Sequence, residues 1–253
     1  MTTALVTGAS RGIGRAIAVA LSERGDRVAV HYGHDREAAE ETRSLLTGDG
    51  HLVVGGDLAD PAGARAVVDT ALEAFGGIDV LVNNAALAPS PATLHKIDET
   101  SYEHWDQVWS QMLDLDLRAP ANVSFLVARA LISAGRPGAI VNVGSRGAFR
   151  GEPDFPAYGA AKAGLHAMGQ SLAVALAPHG IAVTSVAPGF VGTDRQEQTL
   201  AGARGEAIRA QSPFGRVATP EEVAAAVVYL TSPQSQWASG AVLDLNGASH
   251  LRT

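Results

Sequence analysis

The chain has 253 residues, 46% of them hydrophobic and 18% charged, with a formal net charge of −7 and no cysteine. That balance is ordinary for a globular protein and excludes disulfides and thiolate chemistry. It also argues against a nucleic-acid surface, which needs clustered Lys and Arg. No apolar run is long enough to span a bilayer, and the first residues enter a strand pattern without a basic leader, so a cytoplasmic location is expected.

Apolar runs alternate with helix-like segments from one end to the other. The first run, Ala4–Val6, leads into Thr7-Gly8-Ala9-Ser10-Arg11-Gly12-Ile13-Gly14 and a helical pattern over Ala16–Arg24. Glycines in such a turn let phosphate oxygens reach the backbone, and the helix start adds oriented N–H groups. An ordinary glycine turn is the plain alternative. The position between the first strand and a helix favours phosphate binding.

The second run, Val28–Val30, ends in His31-Tyr32-Gly33 and precedes a helix over Glu37–Leu46. The third, Leu52–Val54, is followed by Asp57-Leu58 and a helix over Ala62–Phe75. The fourth, Val80–Val82, precedes Asn83-Asn84-Ala85-Ala86, whose amides can tie neighbouring strands, and a long helical stretch within Ser101–Ala134. The fifth, Ile140–Val143, precedes Ser145, and the helix over Ala157–Ala177 carries Tyr158 and Lys162, one turn apart on one face. The sixth, Ala182–Val186, runs into Pro188-Gly189-Phe190-Val191-Gly192-Thr193. A helix over Glu221–Leu230 and the run Val242–Leu245 close the chain.

Most runs are continuously apolar, as strands buried on both faces must be. The alternation implies right-handed crossovers and an α/β, doubly wound parallel sheet of about seven strands with helices on both faces. Residues 1–253 read as a single dinucleotide-binding and catalytic domain with a substrate lid around 190–212. Ligands of such sheets sit beyond the carboxyl ends of the strands. The histidines show no metal-ligand spacing and read as surface or packing residues, so no metal is expected.

The turn, with its Thr-Gly-x-x-x-Gly-x-Gly spacing, resembles that of the short-chain dehydrogenase/reductase superfamily. So does Ser145 placed 13 residues before the Tyr158-x-x-x-Lys162 pair. The resemblance covers essentially the whole chain and implies a Rossmann-like fold with a nicotinamide cofactor. It places Gly8, Ser10, Arg11, Gly12, Ile13 and Gly14 at the cofactor phosphates. Tyr32 lies where an acidic residue would hold the ribose 2′-hydroxyl and favour NAD. With no carboxylate there and Arg11 available to a 2′-phosphate, NADP is favoured and NAD is possible; Asp35 reaches the ribose only if its loop curls back. Asp57 and Leu58 match the adenine contact, and Asn84 and Ala85 the segment after the fourth strand. Pro188, Gly189, Val191 and Thr193 match the nicotinamide-carboxamide segment.

In the same way Tyr158 is implied as general acid/base, Lys162 as its activator and a ribose ligand, and Ser145 as the group that orients the substrate oxygen. A tyrosine proton is held at a free pKa of about 10, and lowering it by about three units needs roughly 4 kcal/mol. One ammonium about 4 Å away supplies roughly that at an effective dielectric of about 20. The family's fourth residue, an asparagine of a proton relay, is Asp116 here, which puts the relay in doubt. Ala86 and Ala248 stand where the family has glycine.

The implied activity is hydride transfer between NADP(H) and a ketone or secondary alcohol, the closest likeness being to reductases of the 3-oxoacyl-carrier-protein type. Such a reductase needs a basic docking patch, to which Arg129 and Arg136 are candidates. A non-catalytic NADP-binding sensor or scaffold is the alternative of another class. A small-molecule substrate, no nucleic acid, no membrane and a homotetramer are expected. Residues 87–108 are longer than the family norm, and Arg146, Arg150 and Phe155 are candidates to line the substrate pocket.

Overall fold

The computed structural model describes residues 2–252, apart from the side chains of Arg195 and Gln198. Seven parallel strands form one sheet: β1 (Thr3–Val6), β2 (Arg27–Tyr32), β3 (Leu52–Gly55), β4 (Val80–Asn83), β5 (Gly138–Val143), β6 (Ile181–Pro188) and β7 (Val242–Leu245). Their order across the sheet is β3-β2-β1-β4-β5-β6-β7. The chain reverses direction across the sheet between β1 and β4, so a crevice opens beyond their carboxyl ends.

The apolar runs are continuous because each strand feeds two cores. Leu5, Ala29, Leu81, Ile140 and Val183 point to one face, under α3 (Pro61–Phe75), α5 (Ala119–Ser133) and α7 (Pro156–Leu176). Val6, Val30, Val82, Val141 and Val186 point to the other, under α1 (Gly12–Glu23) and α10 (Pro220–Leu230). The helix starts follow local chemistry. Asp35 caps α2 (Arg36–Ser44) by accepting the Ala38 N–H, Asp60 caps α3, and Thr219 with Glu222 forms a capping box on α10.

The long helical stretch within Ser101–Ala134 is interrupted. Helix α4 (Tyr102–Leu113) passes through a π-helical turn at Asp114–Arg118 before α5 begins. Pro120 has no N–H to give the carbonyl of Asp116 four residues earlier, and its ring crowds that carbonyl. The wider turn relieves both and turns the Asp116 side chain inward, where it is fully buried.

Three short helices, unassigned from the sequence, are α6 (Gly147–Arg150), α8 (Asp194–Ala201) and α9 (Gly205–Arg209). Among the described residues no helix is long and apolar enough to cross a membrane. Ala248, where the resemblance expects glycine, is the one non-glycine residue described with a positive φ, at 57°. A left-handed conformation costs an L-residue about 1 kcal/mol. Ala86 has no such strain.

Candidate active site

The glycine turn is held from three sides. The Asn84 side-chain amide donates to the carbonyls of Thr7 and Gly8, both at 3.0 Å. Thr7 Oγ1 accepts the backbone N–H groups of Asn84 and Ala85 and donates to the Val82 carbonyl. Arg15 and Thr42 both donate to the Ser10 carbonyl from behind. Gly8 and Gly12 sit at φ 62° and 55°. A Cβ on Gly14 would lie 2.3 Å from the Gly8 carbonyl oxygen, so only glycine lets helix and turn approach this closely.

His31 is the third support, and the sequence reading missed it. Its Nδ1 accepts the Gly8 N–H at 3.0 Å and its Nε2 donates to the Gly56 carbonyl at 3.0 Å. Burial lowers its pKa, so the imidazole stays neutral, as that pattern requires. No residue-type signal separates such a histidine from one that merely packs. Its partners lie just after β1 and β3.

The first turn of α1 carries no side-chain cap and no acidic residue, so its N–H groups face the crevice unclaimed. Those donors and the glycine backbone suit a pyrophosphate. The turn, with Gly8, Ser10, Arg11, Gly12, Ile13 and Gly14, would hold the cofactor phosphates. At the outer end Arg11 pairs with Asp35 at 3.2 Å, both about half exposed. The Tyr32 ring lies over Gly55, where an added Cβ would meet Tyr32 Cζ at 2.5 Å. Asp57 is exposed and accepts the Ala59 N–H, while Leu58 is buried. Thr193 reaches back over the turn, its methyl 3.2 Å from a Cβ built on Gly12. Pro188 ends β6, Gly189 donates to the Leu245 carbonyl, and Val191 bridges to Ala218. The structure therefore brings these residues to one end of the sheet.

Ser145, Tyr158, Lys162 and Asp116 gather beside this crevice. Lys162 is buried, with Nζ 3.6 Å from Asp116 Oδ2, 3.4 Å from the Val143 carbonyl and 5.7 Å from the centre of the Tyr158 ring. Asp116 Oδ1 accepts the Leu87 N–H at 2.6 Å. Ser145 sits against the Tyr158 hydroxyl and favours its ionised form, and its Oγ accepts the Gly147 N–H.

Burial nevertheless pushes the Tyr158 phenol well above its ordinary value, and the negative charges of Asp116 and Glu152 add to that. This differs from the expectation that the Lys162 charge, helped by oxidised nicotinamide, brings the phenol down. The ammonium is already engaged by a carboxylate at salt-bridge distance, so part of its pull is spent before it reaches the phenol. Burial also raises Asp116, opposed by the Lys162 charge and the Leu87 N–H.

His95 is a second residue not anticipated. It is fully buried, within the long segment 87–108. Its Nδ1 donates to the Thr93 carbonyl at 2.7 Å and its Nε2 accepts the Ala157 N–H at 3.0 Å. The ring meets Trp105 and Phe155 edge to face. An N–H at the start of α7, one residue before Tyr158, is thereby satisfied by a side chain from another segment. His166, also buried, stacks on Phe149 and has its pKa lowered to about 4 by burial. Arg136, a candidate for a docking patch, pairs with Asp79 between the start of β4 and the start of β5. That is the end of the sheet opposite the crevice, so it does not serve an active-site entrance.

A parallel sheet with this strand order, a glycine turn after β1 and Ser145, Tyr158 and Lys162 after β5 together define a nicotinamide-dependent oxidoreductase of the short-chain type. The chain belongs to the short-chain dehydrogenase/reductase superfamily. The family described as Enoyl-(Acyl carrier protein) reductase matches residues 8–250. The 3-oxoacyl-[acyl-carrier-protein] reductase FabG of Vibrio cholerae is 35% identical, over 98% of this chain and 97% of that protein. The cis-4-hydroxycyclohexanecarboxylate dehydrogenase of Sinomonas cyclohexanicum is 38% identical, over 96% and 94%. The L-rhamnose 1-dehydrogenase (NAD(P)(+)) of a Sphingomonas species is 34% identical, over 98% and 96%. A crystal structure titled ribose-5-phosphate isomerase, from Brucella melitensis, superposes with a TM-score of 0.86 at 31% identity, over 97% of this chain and 91% of that one.

Proposed function

We propose that the protein interconverts a ketone and a secondary alcohol with NADP(H). The observation that carries this is the convergence of Ser145, Tyr158 and Lys162 at the crevice where the glycine turn opens. Bound cofactor supplies or accepts the hydride at its nicotinamide ring. Tyr158 gives its proton to the developing alkoxide in reduction and takes it back in oxidation. Ser145 holds the substrate oxygen beside that hydroxyl. Lys162 holds the nicotinamide ribose and stabilises phenolate, with Asp116 as its buried counter-charge. Burial keeps the Tyr158 phenol protonated near neutral pH but holds the proton more tightly, so its transfer depends on Lys162 and Ser145 favouring phenolate as the alkoxide forms.

Arg11 supports NADP over NAD, since a 2′-phosphate can take the place of Asp35 on its guanidinium. Residues 190–212, with α8 and α9, act as the substrate lid. Exposed Phe125 on α5, Val174 on α7 and Trp237 before β7 support a homotetramer built on two faces. A cytoplasmic location completes this reading.

A panel of ketones and alcohols assayed with NADPH and NADH in parallel tests the proposal. Tyr158→Phe is expected to lower turnover about 1,000-fold while NADPH still binds. Unchanged turnover would remove Tyr158 from proton transfer. The relatives that reduce 3-oxoacyl-carrier-protein favour a second reading, which turnover of acetoacetyl thioesters would support.

A further inference from the structure

Arg146 follows Ser145 directly, and its backbone N–H donates to the Pro188 carbonyl at 2.9 Å. Its side chain is 5% exposed. The guanidinium donates to Ser249 Oγ, donates to Gln211 Oε1 at 2.8 Å and lies over the Phe190 ring. All three partners are neutral. Arg150 donates to the same Gln211 Oε1, at 2.9 Å. Two like charges thus converge on one uncharged amide oxygen, and among the described residues neither makes an ion pair with Asp or Glu.

A buried cation without a counter-ion is costly. Arg146 lines a cavity of about 290 Å³ bounded by Phe190, Gln211 and Ser249. The two acids on that wall are committed elsewhere: Asp244 to Arg252 at 2.8 Å, and Glu222 to Arg216. Glu152, the other acid whose field reaches Arg146 and Arg150, has its carboxyl packed against Gly147 and forms no salt bridge with either among the described residues. Among the described residues Arg146 is thus a cation of the cavity wall with no paired acid, and exposed Arg150 joins it through Gln211.

We infer that Arg146 and Arg150 form the carboxylate-binding end of the substrate site, so that the ketone or alcohol turned over is an oxo or hydroxy acid. The side-chain amide of Gln211 is planar and has the shape of a carboxylate. A substrate carboxylate in its place presents two oxygens to two guanidiniums and replaces a neutral acceptor with an anion. Gln211 belongs to segment 190–212, so its release from the arginines couples substrate charge to lid position. The assignment rests on the oxidoreductase reading above, since it takes Ser145 as the neighbour that holds the reacting oxygen.

The test compares kcat/KM with NADPH for acetoacetate, 4-oxopentanoate and 5-oxohexanoate, each beside its methyl ester. At least one acid is expected to exceed its ester by about tenfold or more. Arg146→Met, Arg150→Met and Gln211→Glu should each lower that acid-to-ester ratio by about tenfold, the last mainly by raising KM for the acid. Arg150 is exposed and Gln211→Glu adds no bulk, so a folding failure of Arg146→Met leaves two informative variants.

Independently of turnover, the same acids should raise the melting temperature of the NADP-loaded wild type and not of the Arg150→Met or Gln211→Glu variants, and acetate should do so less. Esters reduced as well as acids, with no stabilisation by any acid, would overturn the carboxylate site and leave the oxidoreductase reading standing. Acetate acting as strongly as the oxo acids would assign the arginines to a free anion and overturn the substrate assignment. A failure of the oxidoreductase reading shows differently, as no ketone or alcohol turned over with either cofactor while NADPH binds.

Discussion

The glycine turn and the start of α7 lie at the same end of one sheet but are built in different ways. The turn is mostly backbone. Its glycines, its uncapped helix start and Asn84 act through main-chain groups, and their spacing is short and local. The catalytic end is mostly side chains from distant segments. Asp116 arrives on a π turn, His95 comes from the long 87–108 segment, and both meet residues next to or on α7. The first region tolerates few residue types but many neighbours. The second admits substitutions, such as Asp for Asn at position 116, each of which changes the electrostatics.

Gly14→Ala should break the first region most severely. The added methyl meets the Gly8 carbonyl oxygen at 2.3 Å and Asn84 Nδ2 at 2.5 Å. Overpacking of this kind costs about 3 kcal/mol, so the NADPH dissociation constant, read by fluorescence titration, should rise about 100-fold.

The next largest effect is a pH dependence behind the catalytic helix. His166 has a folded pKa of about 4 against 6.5 unfolded. The sign follows from the depressed value: the neutral ring's contribution is complete above pH 6.5 and is lost as pH falls towards 4. The full difference is about 3 kcal/mol. Denaturant melts of wild type and His166→Gln between those pH values should converge as the pH falls, and parallel curves would contradict the shift.

His95→Ala isolates the side-chain architecture of the second region. It strands the Ala157 N–H in a buried site, at a cost of about 2 kcal/mol. The melting temperature should fall, and kcat should fall more than NADPH affinity does. Equal losses in both would mean that the two regions are not separable.

Asp116→Asn sharpens the comparison with the smallest change. Removing the carboxylate releases Lys162 towards Tyr158 and lowers the phenol. The pH profile for alcohol oxidation should move down by about one unit, or about 1.4 kcal/mol, with turnover kept or raised. A large loss of turnover would mean that the carboxylate itself is required.

The seven strands, the six longer helical segments and the crevice were legible in the sequence because each depends on local patterns: apolar runs, caps and the glycine spacing. Ser145, Tyr158 and Lys162 were singled out instead by their resemblance to the family's motif. His31 and His95 were not, since a histidine's role depends on which backbone groups face its two nitrogens, and those belong to other strands and loops. The state of Tyr158 was likewise hidden. Its pKa depends on burial and on how the Lys162 charge is shared with Asp116, and Pro120 brings Asp116 inward only through a break in helix geometry. By itself the sequence determined the order of elements and the glycine turn, because short-range sterics and spacing suffice for them, and its resemblance to the family singled out Ser145, Tyr158 and Lys162. Only the tertiary structure decided which buried charges are paired, and it left Arg146 and Arg150 without an acid, because electrostatics depends on distances that chain order does not contain.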